Sequence, residues 1–134
     1  MSARILIIED EAIVAMEVRF VLEDLGHDVV GVAADARTAR DLARTTEIDL
    51  ALVDIHLSDG PTGIALGRDL AFEGITVLYM TANPGMVREG VAGTIGVLGK
   101  PADERAVQTS VDYALRRRTG RPIEYAPPEL RLFA

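Results

Sequence analysis

Four short apolar runs in this chain each hand over to a polar side chain, and that repeat constrains the fold more than any other feature. Ile5-Leu-Ile-Ile runs into Glu9 and Asp10, and Leu50-Ala-Leu-Val runs into Asp54. Ile75-Thr-Val-Leu-Tyr-Met runs into Thr81, and Ile95-Gly-Val-Leu-Gly into Lys100 and Pro101. Continuous apolar runs of this length, the first of them rich in β-branched residues, fit strands buried on both faces. In open α/β sheets the carboxyl ends of such strands are where ligands bind, at the point where the strand order reverses. Polar groups at four strand ends therefore point to one site.

Between the runs lie helical patterns. From Glu11 to Leu25, Ile13, Met16, Phe20 and Val21 recur at helical spacing, and Gly26 stands where a C-cap belongs. Asp28 to Val32 reads as a second strand, and the alanine-rich, arginine-studded stretch from Ala36 to Thr45 as a surface helix. A helix near Gly63 to Phe72 and a last one from about Asp103 to Arg118 complete the alternation. Strands alternating with helices over short connections imply a parallel sheet covered on both faces. The expected fold is α/β, a doubly wound, flavodoxin-like (βα)5 arrangement around a five-stranded parallel sheet. Its weakest part is the fourth helix, from Pro84 to Ala92, where glycines and a proline undercut helix propensity. Two readings stay open there, a short or mobile helix and a long loop.

The chain divides into a domain over residues 1–118 and a proline-containing tail over 119–134. Pro122, Pro127 and Pro128 forbid a helix in the tail. Ile123, Tyr125, Leu130, Leu132 and Phe133 are its anchors, either onto its own domain or onto a second copy of the chain in a homodimer. With 134 residues there is room for one core. A net charge of −7 argues against nucleic acid as a partner and favours a cation or a basic protein surface. There is no cysteine, so disulfides, thiolate metal sites and thiol nucleophiles are excluded. No apolar stretch is long enough for a membrane span, and the N-terminal Met-Ser-Ala-Arg is too short for a signal peptide. The expectation is a cytoplasmic protein away from the membrane.

Glu9, Asp10 and Asp54, crowded at adjacent strand ends, would repel one another unless a divalent cation intervened. Carboxylate oxygens with retained water are the ligands Mg²⁺ prefers. A carboxylate kept ionised in such a place can act as a nucleophile toward phosphorus. The charge that develops on the phosphoryl oxygens needs a fixed ammonium and a hydrogen-bond donor, for which Lys100 and Thr81 are placed. Taken singly, each residue has a plainer explanation: Asp10 as a helix cap, Lys100 as a solvated surface lysine, Thr81 as a turn residue. In this order, each at a strand end, they read as one constellation. Two other classes draw on the same residues. A Mg²⁺-dependent phosphatase with an aspartyl nucleophile usually wants an acid two residues beyond the nucleophile, where this chain has His56. A nucleotide or flavin carrier lacks its glycine-rich loop after the first strand.

The ordered set Ile-Ile-Glu9-Asp10-Glu, Val-Asp54-Ile-His-Leu, Met-Thr81-Ala and Lys100-Pro101 resembles the receiver domain of two-component response regulators, over residues 4 to about 118. The resemblance implies that Asp54 accepts a phosphoryl group from a sensor histidine kinase or a histidine phosphotransfer protein. It implies that Glu9, Asp10, Asp54 and the main-chain carbonyl of His56 hold Mg²⁺, Glu9 through water, and that Thr81 and Lys100 contact the phosphoryl oxygens. A cis Lys100–Pro101 peptide is expected with it. So is a protein that is not an enzyme in its own right, acting by partner binding or as a phosphate sink. With only the tail after Arg118, a stand-alone receiver is expected. Receivers usually carry a reporting aromatic three positions before the lysine, where this chain has Val97. Tyr79 is either a substitute for it or a packing residue.

Overall fold

The computed structural model describes residues 2–123 and 125–133. Met1, Glu124 and Ala134, which fall within the two expected units, lie outside the described residues. Strands β1 (Arg4–Ile8), β2 (Asp28–Ala33), β3 (Leu50–Val53), β4 (Thr76–Thr81), β5 (Gly96–Gly99) and β6 (Leu130–Leu132) form one sheet in the order β2-β1-β3-β4-β5-β6. The first five are parallel, as expected from the alternation of strands and helices. The sixth corrects the expected count of five: residues 130–132 of the tail pair antiparallel with β5. A strand hidden after three prolines left no periodic signal of its own.

Helices α1 (Ala12–Asp24) and α4 (Glu104–Thr119) cover one face, and α2 (Ala36–Thr45) and α3 (Gly63–Phe72) the other. Alternate strand residues supply the two cores. Ile5, Ile7, Leu50, Leu52, Leu78 and Met80 pack with α1 and α4, while Leu6, Ile8, Ala51, Val53, Val77 and Tyr79 pack with α2 and α3. Asp35 and Asp103 cap α2 and α4 by accepting from the amides of Thr38 and Ala106, each at 2.7 Å. No regular fourth helix precedes β5. Pro84–Val87 make a single 3-10 turn, and Gly90 and Gly93, both at positive φ, keep the chain irregular up to β5.

Helix α1 carries the spacing read from the sequence, but of the four residues read at that spacing only Val21 is buried. Ala15, Val18, Val21 and Leu22 are its buried residues, whereas Ile13, Met16 and Phe20 are 72%, 65% and 71% exposed. Both sets recur at helical intervals, so periodicity alone could not choose between them. The large residues form an unpartnered apolar stripe beside the carboxyl end of the sheet.

Two close approaches depend on glycine. A Cβ on Gly63 would sit 1.9 Å from the Asp54 carbonyl oxygen, so α3 starts directly against the main chain of that residue. A Cβ on Gly67 would lie 2.1 Å from Tyr79 Oη, which donates to Ile64 O at 2.8 Å. Tyr79 is fully buried and bonded to α3, which assigns it the packing role. Gly67→Ala is expected to cost about 1–3 kcal/mol through overpacking. Adding Tyr79→Phe should recover part of that loss, and urea unfolding of the single and double variants checks both.

The tail packs on its own domain. Leu130 joins the α1/α4 core and Phe133 packs against the α2/α3 core, so β6 protects what would otherwise be the free edge of β5. Deleting residues 119–134 is expected to lower Tm by roughly 3–10 °C, from the loss of about 1–3 kcal/mol of apolar burial and edge pairing. An unchanged melt in differential scanning calorimetry would refute that assignment.

Candidate functional site

The reversal of strand order falls between β1 and β3, with β2 on one side and β4 on the other. Main-chain bonds align the strand ends there. Glu9 N–H donates to Ala33 O at 2.8 Å, Asp54 N–H to Ile8 O at 3.0 Å and Lys100 N–H to Thr81 O at 2.8 Å. Each residue that follows a strand is thereby delivered to one edge.

Glu9, Asp10 and Asp54 come together: one carboxylate oxygen from each lies within 4.8 Å of the others. Glu9 and Asp54 are buried and Asp10 is exposed. Lys100 reaches in from β5, its side chain 12% exposed, and its Nζ donates to Asp54 Oδ2 at 2.8 Å and to Glu9 Oε1. Asp54 Oδ1 accepts from the Ile55 amide at 2.7 Å, and Glu9 Oε2 from the Glu11 amide at 3.1 Å. Asp10 has no capping duty, since the N-cap of α1 is Glu11 and makes no side-chain cap bond. Burial pushes the Glu9 carboxyl above its ordinary pKa, against the opposing pull of Lys100 and of the Glu11 amide. Burial alone would lower the Lys100 pKa, but its bonds to Asp54 and Glu9 outweigh that and hold the ammonium above its usual range.

Thr81 closes β4, fully buried, and its Oγ1 accepts from the Asn83 amide at 3.1 Å. The Lys100–Pro101 peptide is cis. The His56 side chain stays outside the carboxylate group: it is exposed, with Nδ1 at 3.5 Å from Asn83 Nδ2. Val97 lies buried on β5, opposite Tyr79. Two contributors escaped the sequence reading. Gly63, read only as the start of a helix, is the small residue that lets α3 begin against Asp54. Asn83, just before the weak fourth-helix segment, holds the Thr81 hydroxyl by its main-chain N–H. The spacing of Gly63 and Gly67, one helical turn apart, was the available signal for a close approach.

Chemically, the arrangement is a carboxylate held against an ammonium, with two further carboxylates beside it and a hydroxyl at the next strand end. Its donor set of hard oxygens on adjacent loops fits a divalent cation such as Mg²⁺.

Comparison with known proteins places this arrangement in a family. The model of the response regulator receiver domain matches residues 5–112. The phyllosphere-induced regulator PhyR of Methylorubrum extorquens is 41% identical over 87 residues, which cover 63% of this chain and 32% of that protein. The receiver domain of PhyR from Erythrobacter litoralis, solved by NMR, superposes with a TM-score of 0.78 at 30% identity, covering 94% of this chain and 97% of that one. The anti-anti-sigma factor PhyR of Bartonella quintana superposes with a TM-score of 0.78 at 28% identity over 90% of this chain and 50% of that one. This chain spans 30% to 57% of the length of the curated relatives it matches. Among the described residues, no helix is long and apolar enough to cross a membrane. The family match, which covers most of the chain and ends inside α4, shows that the chain belongs to the receiver domains of two-component response regulators.

Proposed function

We propose that Asp54 is the phosphoacceptor of this receiver, taking its phosphoryl group from the phosphohistidine of a kinase or phosphotransfer protein in the cytoplasm. The observation that carries the reading is the seat of Asp54: a buried carboxylate bonded to Lys100 at 2.8 Å inside a three-carboxylate group. An Asp54 oxygen attacks phosphorus, the P–N bond to the donor histidine breaks, and that nitrogen leaves with its electron pair and takes a proton from solvent. Lys100, already bonded to Asp54, meets the charge that gathers on the phosphoryl oxygens. The Thr81 hydroxyl keeps its proton as a donor for one of them, once it turns from Asn83. Glu9, Asp10, Asp54 and the main-chain carbonyl of His56 are the groups proposed to hold Mg²⁺, which when bound supplies positive charge beside the phosphoryl group.

The apolar stripe of α1 supplies a docking face for the donor. Ile13, Met16 and Phe20 line a groove of about 830 Å³ that continues to Met80, Lys100 and Pro101 at the edge of the site. A helical donor presenting its histidine there would bury those side chains while bringing phosphorus to Asp54. The name anti-anti-sigma factor, carried by one structural relative, supports an output through binding another protein.

Incubation with Mg²⁺ and a small phosphoryl donor such as acetyl phosphate is expected to add one phosphate to the wild type and none to Asp54→Ala. Intact-mass measurement reads this directly, and an adduct that persists in the variant would assign another acceptor. Cation binding has its own test. Lys100→Met leaves Glu9 and Asp54 buried without their counter-charge and is expected to cost about 3 kcal/mol in the absence of Mg²⁺. Saturating Mg²⁺ should restore part of that loss, whereas Asp10→Asn should weaken Mg²⁺ binding by at least about tenfold, seen as a smaller rise of Tm with added Mg²⁺.

A further inference from the structure

Strand β6 lies along β5, the strand that delivers Lys100 to the site. Its pairs are Gly96 with Leu132, Val97 with Arg131 and Leu98 with Leu130. The body of the domain is shaped for it. A Cβ on Gly96 would lie 2.4 Å from the Arg131 carbonyl oxygen, so a side chain there would push the strand off. The Phe133 amide donates to Ile95 O at 3.0 Å, and its side chain rests over Gly90, a Cβ on which would meet it at 3.5 Å. The Phe133 ring also meets that of Tyr79, centroids 6.5 Å apart. The Arg131 guanidinium stands 5.9 Å over the Phe133 ring and donates to Arg88 O at 3.2 Å. β6 thus grips two things at once, the edge of β5 and the segment around residues 88–90.

That segment is tied at its other end to the site. Asn83 N–H donates to Thr81 Oγ1, and Asn83 O accepts from Met86 N at 3.1 Å to open the 3-10 turn. Val87 anchors the turn in the core, and Gly90 N–H returns to Val87 O at 2.9 Å. A continuous run of bonds therefore leads from the Thr81 hydroxyl through Asn83 and the turn to Arg88, Arg131 and β6. A χ1 rotation that carried the Thr81 hydroxyl toward a group on Asp54 would move Oγ1 away from the Asn83 amide and break that bond.

We propose that β6 is a strap whose hold on β5 reports the state of Thr81: closed while the hydroxyl accepts from Asn83, and loosened when it turns to a phosphoryl group on Asp54. The inference rests on the phosphoacceptor reading above. It is a shift between two populations of one strand, driven by the loss of a bond at the far end of the turn. In the loosened state the Gly96–Gly99 edge and the seat of Phe133 on Gly90 are bare.

Hydrogen exchange of the carboxyl-terminal peptide over residues 128–133, measured against peptides from β1 and β3, tests this. Gly96→Ala expels the strap sterically and defines the open rate. Thr81→Val, close in shape but unable to accept from Asn83, is expected to speed tail exchange by about tenfold or more while β1 and β3 keep their protection. The phosphorylated wild type, with its adduct confirmed by mass on the same sample, is expected to do the same. Tail exchange at the unmodified rate in the adduct, with Gly96→Ala fast, overturns the proposal. If no adduct forms, the phosphoacceptor reading fails, and Thr81→Val alone decides the strap: an unchanged tail in that variant overturns it.

Discussion

The structure turns on one under-neutralised cluster of charge. Three carboxylates gather at the switch between β1 and β3, and the two buried ones, Glu9 and Asp54, share a single ammonium. Two like charges a few ångströms apart near a protein surface repel by several kcal/mol, and Lys100 can offset only part of that. A protein selected for stability alone would replace such a cluster with apolar side chains. The sheet instead holds it open by main-chain bonds, which do not yield when the side chains repel. The uncompensated charge suits the site to a cation, and under the proposed function the Asp54–Lys100 contact would meet the phosphoryl group.

Much of this was legible because it lies along the chain. Strands β1 and β3 to β5 announced themselves as apolar runs, and each candidate site residue either ends its strand, as Thr81 does, or follows it by one or two positions. Parallel pairing then converts sequence order into a row of strand ends, so Glu9, Asp10, Asp54, Thr81 and Lys100 could be placed together without knowing any side-chain contact. What could not be read depends on contacts across the fold. Ile13, Met16 and Phe20 match the period of a buried face, but the face of α1 turned to the sheet is the one that bears Ala15, Val18, Val21 and Leu22. The need for glycine at 67 is set by where the Tyr79 hydroxyl arrives from β4, and no local pattern encodes that reach.

The tail and the missing fourth helix have one explanation. A helix before β5 would cover the α2/α3 face of the sheet beyond β4, but Gly85, Gly90 and Gly93 weaken that segment to a single 3-10 turn. Val87, Val91 and Phe133 cover that ground instead, with Phe133 arriving from the end of the chain. The same exchange accounts for Val97. An aromatic ring there would compete for the space beside Tyr79 that Phe133 takes, and Gly96 next to it would have no reason to be bare. The cover over this face is therefore not fixed between β4 and β5 at both ends, as a helix would be. It is a strand held by an edge ladder of three pairs and by two side chains, Arg131 and Phe133, on the segment that leads back to Thr81. An element with so few bonds opens at lower free energy than a packed helix, which is the property the proposed strap needs if a change at Asp54 is to release it.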